Sequence, residues 1–404
     1  MAVPTGFKYA ALFKKHLSFN PDTPVIRYDI EELMQFFGDC LEMFKAEPTL
    51  LKVPIPVHVV GDIHGQYEDL HRIFGAVLSK SSSARFLFLG DLVDRGAASL
   101  QCLVAVLVRK MAHPNKYYLV RGNHEALSIN VSYGFFDELK NRFEVQTARE
   151  LMKKIGRMYA WIPLAAIINK KIFCVHGGIG PNISCLDDFD NVQRPLKSTS
   201  GNNFAQDILW SDPKADLMGT APNTNRTTSI FYGPDEAERV CGVLGVDCII
   251  RAHQVVQKGY DFPFHNKKVI TLFSAPGYQT EPFTNDGAIA IVKNNEQTDR
   301  MEIKFQRFEP IQNAFGSTFK NMADDLTILE STDESMLKSE EDLDPKKAKT
   351  PEKPKEGVVC QDCQAKEAEK ESKEFEKPKE EPKPRTRSPR SLRSQDSLNS
   401  SCSR

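Results

Sequence analysis

The feature that most constrains this chain is a recurrence. Three times, a short, largely apolar run leads to a glycine that is followed at once by an acid or an amide. Val57-His58-Val59-Val60 enters Gly61-Asp62-Ile63-His64-Gly65, and Phe86-Leu87-Phe88-Leu89 enters Gly90-Asp91-Leu92-Val93-Asp94-Arg95-Gly96. Tyr117-Tyr118-Leu119-Val120 enters Arg121-Gly122-Asn123-His124-Glu125. Runs of this length read as buried strands that deliver polar side chains at their carboxyl ends. Ser99 to Met111 carries a long apolar face suited to a helix and closes at His113-Pro114. Strand, helix, strand is the rhythm of an α/β layer fold.

The same rhythm continues. The chain to about Pro54 reads as helical, with apolar residues at three-to-four spacing from Ile30 to Phe37 and from Cys40 to Phe44, and covers the core. Helical stretches around Phe135 to Phe143 and Thr147 to Tyr159 precede the strands Leu164 to Ile168 and Ile172 to Val175, the second ending in His176-Gly177-Gly178. Gly180 to Pro222 is turn-rich and polar, interrupted only by Ile208 to Pro213, and reads as surface loops around a site. Asp247 to Ile250 then runs into Arg251-Ala252-His253-Gln254, and Val269 to Phe273 into Ser274-Ala275-Pro276-Gly277-Tyr278. Ala288 to Val292 and Met301 to Phe305 finish the pattern. This divides the chain into an N-terminal extension (1–29), one catalytic domain (30–315), a boundary segment (316–330) and a tail (331–404). The tail is rich in Lys, Glu, Pro and Ser, has Phe375 as its only aromatic residue and no isoleucine, and is expected to stay disordered.

Charge and composition narrow the function classes. A formal net charge of -1 gives no whole-protein basic field, so no nucleic-acid or anionic-membrane partner is expected. Met1 to Ser18 lacks the apolar core of a signal peptide, and no apolar run approaches the roughly 20 residues of a membrane span, so a cytoplasmic or nuclear location is expected. The nine cysteines sit mostly in apolar runs and are expected to be reduced; Cys360 and Cys363 have zinc-knuckle spacing without a second pair. The basic serine-rich run Arg385 to Ser394 and Thr350-Pro351 suit phosphorylation, set against a plain solvated tail.

Asp62, His64, Asp91, Asn123, His176 and His253 form a set of nitrogen and oxygen donors, each beside a glycine or at the end of an apolar run. Glycine lets backbones approach closely while side chains converge, so the set reads as one two-metal site. Mixed His and carboxylate donors suit Mn, Fe or Zn better than Ca or Mg, with those three left open. Two metals roughly 3.5–4 Å apart need a shared carboxylate, for which Asp91 is the candidate. Such a pair lowers the pKa of a bridging water to about 7 and holds phosphate oxygens for in-line attack. Phosphoryl transfer also needs cationic clamps, and Arg95 and Arg226 suit that task. The leaving alkoxide needs a proton, which His124 donates if Asp94 stabilises its imidazolium form.

Taken in order, GDxHG, GDxVDRG, GNHE, HGG, RAHQ and SAPxY resemble the motifs of the phosphoprotein phosphatase family, over roughly Ile30 to Pro310. The resemblance implies a metallophosphatase β-sandwich of two mixed sheets flanked by helices. It also implies hydrolysis of phosphoserine and phosphothreonine in one step through a metal-bridging hydroxide. By motif, Asp62, His64 and Asp91 would hold the first metal, and Asp91, Asn123, His176 and His253 the second. His124 would be the general acid oriented by Asp94, with Arg95, Arg226 and Tyr278 on the phosphate. The segments Gly122 to Asn130 and Arg251 to Tyr260 look closest to type-1 catalytic subunits.

Departures from that pattern are expected on the rim: Leu92 for an aromatic residue, Thr227-Thr228 for small apolar residues, and Gly277 for Asn. A longer loop, Gln279 to Thr284, stands where the family has a cysteine that some toxins alkylate. Regulatory or targeting subunits would use an apolar groove near Phe262, Ile303 and Phe305, with Glu302 where an apolar residue is usual; the competing reading is ordinary core strands. Two other functions compete with the phosphatase: a phosphatase-like scaffold with little turnover, and a metallophosphodiesterase or nucleotidase.

Overall fold

In the computed structural model of the chain, residues 2–279, 284–298 and 300–311 are described. The domain end at 315, the boundary segment, the tail with its phosphorylation candidates, and loop residues 280–283 lie outside the described residues. The helices are α1 (Ala10–Leu17), α2 (Ile30–Lys45), α3 (Tyr67–Leu78), α4 (Ser99–Ala112), α5 (Leu127–Tyr133), α6 (Phe135–Arg142), α7 (Val145–Tyr159), α8 (Asn203–Trp210) and α9 (Pro234–Leu244). The strands are β1 (Leu50–Val53), β2 (Val57–Val60), β3 (Phe86–Phe88), β4 (Tyr117–Leu119), β5 (Ala165–Ile168), β6 (Ile172–Val175) and β7 (Asp212–Pro213). They continue as β8 (Thr220–Pro222), β9 (Ile230–Tyr232), β10 (Cys248–Arg251), β11 (Tyr260–Asp261), β12 (Val269–Leu272), β13 (Gly287–Asn294) and β14 (Met301–Phe308).

Two mixed sheets carry the domain. One has six strands in the order β1-β5-β6-β10-β12-β11 and the other five in the order β14-β13-β2-β3-β4; a small third sheet runs β7-β9-β8. The period-two alternation of strand side chains explains the layers. Leu87, Leu89, Val57, Val59, Ala288 and Ala290 of the five-stranded side meet Cys174, Ile250, Ile270 and Leu272 of the six-stranded side in an inner core. Phe86, Phe88, Val60 and Ile289 belong instead to a second core, with Phe36, Leu70, Phe74, Leu103 and Leu151 of the helices. A third core joins Ala165, Phe173, Val175 and Ile249 to Ile208 of α8 and Val240 of α9. Burying each Phe or Leu contributes roughly 1.5–3 kcal/mol, so these layers dominate the stability. The sandwich with flanking helices expected from the motifs is what the chain forms.

Several local expectations need correction. Leu50–Val53 is a strand rather than part of the leading helical stretch, because it pairs in parallel with the distant Ala165–Ile168. The loop region Gly180 to Pro222 contains α8, started by Asn202, whose side chain accepts the Ala205 N–H at 3.0 Å. Leu92 is fully buried in the helix-covered core and does not stand on the rim. The segment 1–29 packs into that same core through Tyr9, Leu12 and Phe13. Its Asp29 also caps α2, accepting the Glu32 N–H at 2.8 Å, a bond worth about 1 kcal/mol. Among the described residues no helix is long and apolar enough to cross a membrane.

Candidate active site

Strand direction gathers the donors. β2, β3 and β4 run parallel to one another, as do β6, β10 and β12 in the other sheet. Their carboxyl ends therefore lie together within each sheet, delivering Asp62 and His64, Asp91, Asn123 and His124 from one and His176, His253 and Ser274 from the other. A seam stitches the two ends. Asp62 bridges Phe273 in parallel, Ser274 N–H donates to the Asp62 carbonyl at 3.2 Å, and Ala288 N–H donates to the Phe273 carbonyl at 2.8 Å. Ser274 Oγ accepts the Gly61 N–H at 2.8 Å and donates to the Ala288 carbonyl at 2.6 Å.

The motif glycines allow this crowding. A Cβ on Gly122 would stand 2.2 Å from Asp91 Oδ1, and one on Gly90, whose φ is 99°, 2.2 Å from the Gly122 nitrogen. Backbone conformation contributes as well: His64, Asp91 and His253 adopt left-handed φ values of 46°, 50° and 69°. Strain of this kind concentrates at functional sites, where neighbours over-determine it.

The histidines are fixed from outside. His64 Nδ1 faces the Val93 carbonyl at 2.9 Å and His176 Nδ1 the Leu89 carbonyl at 3.0 Å, so each donates there and turns Nε2 inward as a lone-pair acceptor. His176 Nε2 then lies 2.7 Å from Asn123 Oδ1, 3.2 Å from His253 Nδ1 and 3.3 Å from Asp91 Oδ2. Contacts this close are satisfied by a proton on His176 Nε2 or by a metal ion among the acceptors. His64 Nε2 stands 3.7 Å from Asp62 Oδ2 and 3.6 Å from Asp91 Oδ2.

Electrostatics states the same demand. Burial pushes the Asp62 carboxyl up to about 7, helped by the neighbouring Asp91 charge. Burial would raise Asp91 too, but His176 and His124 outweigh it and hold Asp91 below the ordinary carboxylate range. Burial disfavours charge on His176, yet Asp91 and Asp62 overcome it and raise its pKa. Burial lowers His64 to about 3, and it lowers His253 as well, reinforced by Arg226. A donor set of carboxylates, imidazoles and an amide that welcomes positive charge fits divalent metal ions.

Two clusters of ligand atoms within 4.8 Å of one another emerge, His64 with Asp91 and His124, and Asp91 with His176 and His253. Asp91 is common to both, the position expected of a shared carboxylate. His124 stands in the first cluster where Asp62 was expected. Asp62 Oδ1 accepts the His253 N–H at 3.1 Å and lies 3.9 Å from His176 Nδ1. His124 Nδ1 pairs with Asp94 Oδ2 at 2.8 Å. Asp94 also accepts from Asn130 Nδ2 at 2.7 Å and from the Phe135 N–H at 3.1 Å. Burial opposes a charge on His124, but Asp91 and Asp94 raise its pKa.

The arginines flank this centre. Arg95 lays its guanidinium 4.3 Å from the Tyr133 ring centroid, and Tyr133 also packs edge-on against His124 at 5.3 Å. Arg226 Nε donates to Asp212 Oδ2 at 3.0 Å and its Nη2 to the His253 carbonyl at 3.3 Å. The Tyr278 ring lies 5.2 Å from that of His64. All eleven residues singled out in the sequence therefore border one site. Of the expected groove residues, Phe262 is 37% exposed, whereas Ile303 and Phe305 are half-buried against the inner core, as ordinary strand residues are, and Phe305 stacks on Tyr260 at 4.0 Å.

Supporting residues escaped the sequence reading. Glu125 accepts the N–H groups of Asp91, Leu92 and Gly122 at 2.8, 3.0 and 2.8 Å, locking two motif loops together. Asp212 accepts from both Arg226 and Arg251, the latter at 2.9 Å. Glu125 was visible inside a motif, but its task of joining two loops depends on backbone donors 33 and 34 residues earlier. For Asp212, the adjacent apolar run Ile208-Leu209-Trp210 was the available signal.

This fold and this cluster define the metallophosphoesterase class. A sequence model of calcineurin-like phosphoesterases, Metallophos, matches residues 55–257. A serine/threonine-protein phosphatase of Caenorhabditis elegans is 39% identical over 279 residues, 69% of this chain and 59% of that protein. The chain thus spans somewhat over half the length of that relative. A solved Saccharomyces cerevisiae protein serine/threonine phosphatase, described as similar to human phosphatase PP5, superposes with a TM-score of 0.64 at 26% identity. That match covers 75% of this chain and 96% of the yeast one. The chain belongs to the calcineurin-like phosphoesterase family.

Proposed function

We propose that the chain is a metal-dependent serine/threonine protein phosphatase that hydrolyses phosphoserine and phosphothreonine in proteins in a single displacement. The observation that carries the reading is the ring of acceptors around His176 Nε2, shared through Asp91 with His64. In this reading Asp62, His64 and Asp91 hold one divalent ion, and Asp91, Asn123, His176 and His253 the other, from among Mn, Fe and Zn. Bound there, such ions supply hydroxide at neutral pH and neutralise charge on the phosphoryl oxygens. Arg95 and Arg226 fork onto the equatorial oxygens, and Tyr278 closes the rim beside His64. His124, held by Asp94, protonates the leaving serine or threonine oxygen. The edge where exposed Phe262 meets half-buried Ile303 and Phe305 would seat a targeting subunit.

The test compares a phosphothreonine peptide with bis-nitrophenyl phosphate, using metal-loaded full-length protein. The expected result is faster turnover of the peptide monoester, with Asp91→Asn inactive and His124→Asn slower by roughly 10²–10⁴-fold. Equal rates in wild type and both variants would refute the assignment, and preference for the diester would favour a phosphodiesterase.

A further inference from the structure

The turn that carries Arg226 is held in a conformation its residues do not choose alone. Thr227 and Ser229 both have left-handed backbones, with φ of 55° and 60°. For a β-branched residue such as Thr227 this is a costly conformation, which persists only where neighbours impose it. Asn223 folds the turn from within. Its Oδ1 accepts the N–H groups of Asn225 and Arg226 at 3.1 and 3.2 Å, and its Nδ2 donates to Asp212 Oδ2 at 3.0 Å. Helix α8 holds the turn from outside. Gln206 Nε2 donates to Thr228 Oγ1, and Ser229 Oγ donates to Asp207 Oδ1 at 2.7 Å. The same helix ends in Trp210, whose ring meets that of His253 edge-on at 5.7 Å. One short element therefore touches both the arginine turn and the donor cluster.

We propose that α8 is the positioning element for Arg226, with Asp207 and Gln206 latching Ser229 and Thr228 so that the guanidinium faces a phosphoryl oxygen. Two of the five guanidinium N–H groups are committed to Asp212 and the His253 carbonyl, which leaves three, two on Nη1 and one on Nη2, for the substrate. The latches touch no substrate; they act through Arg226. The inference rests on the phosphatase reading, and misplacement of a clamp by about 1 Å costs up to 10²-fold in rate.

A double-mutant cycle decides it. Ser229→Ala, Arg226→Ala and their combination are compared in metal-loaded full-length protein, beside Asp207→Asn and Asp207→Ala. The readouts are kcat and KM for a phosphothreonine peptide, inorganic phosphate affinity by calorimetry, and melting temperature. Ser229→Ala should lower kcat/KM and weaken phosphate binding by roughly tenfold, and should add nothing once Arg226 is removed. Asp207→Asn keeps an acceptor oxygen and should recover most of what Asp207→Ala loses. Ser229→Ala equal to wild type would overturn the proposal. So would a loss fully additive with Arg226→Ala, whatever the melting temperature, because the turn would then act on the fold rather than through the arginine. If wild type lacks turnover, the phosphatase reading fails separately, and the phosphate affinities still decide the latch.

Discussion

Asp94 shows how single residues set the chemistry of this site. Its carboxylate is engaged by His124, Asn130 and the Phe135 N–H. Its charge sits against His124 Nδ1, where it opposes the penalty that burial places on the imidazolium. A general acid must be protonated to work, so with His124 in the proposed role activity should be lost as pH rises through its pKa. Asp94→Asn removes the counter-charge and lowers that pKa. The expected outcome is an alkaline limb of the kcat/KM profile displaced to lower pH, with little change on the acid side. An unmoved alkaline limb would show that His124 is not the titrating acid.

At the scale of elements, the seam between the sheets is what turns six separate strand ends into one site. Ser274 is fully buried and satisfies two backbone groups, the Gly61 N–H just past β2 and the Ala288 carbonyl in β13. Ser274→Ala leaves both unpaired, at a cost of roughly 1–3 kcal/mol. At about 2–4 °C per kcal/mol for a domain of this size, differential scanning calorimetry should register a lower Tm. Metal content at equal free metal should fall with it, because the same bonds align Asp62 with His253. A lower Tm with metal content unchanged would separate the seam from the site.

Elements also show what was legible in the sequence. The strands ending at Asp62, Asp91 and Asn123 could be read because each is a local apolar run stopped by a polar turn. Strand β1 could not, since four residues before a proline take their meaning from a partner more than a hundred residues away. Helix α9 carried readable signals, Pro234 at its first turn and Gly245 in the left-handed conformation at its end, but it lies beyond a polar stretch that reads as loop. Leu92 was expected on the rim as a departure from the family pattern, whereas the turn folds it into the core. The donor set was legible as a list of residue types, and its pairing only through resemblance. Asp91 reaches His176 across both sheets, a contact that spacing does not encode.

For the whole molecule, the site is a structural centre as well as a chemical one. It stands where two sheets meet, and its buried carboxylates and imidazoles are balanced only when positive charge is present. Ligands that bind the folded state alone stabilise it by about 2.7 kcal/mol at a hundred times Kd, so chelation should lower Tm by several degrees and readdition should restore it. The central claim is that two ions act together through Asp91. Its most direct test titrates metal-depleted protein with Mn while following phosphate release from a phosphothreonine peptide and bound metal per chain. The account predicts that turnover rises with the second equivalent and saturates at two ions per chain, and that Asp91→Asn binds fewer and releases no phosphate. Full activity at one ion per chain, or with none, would contradict it.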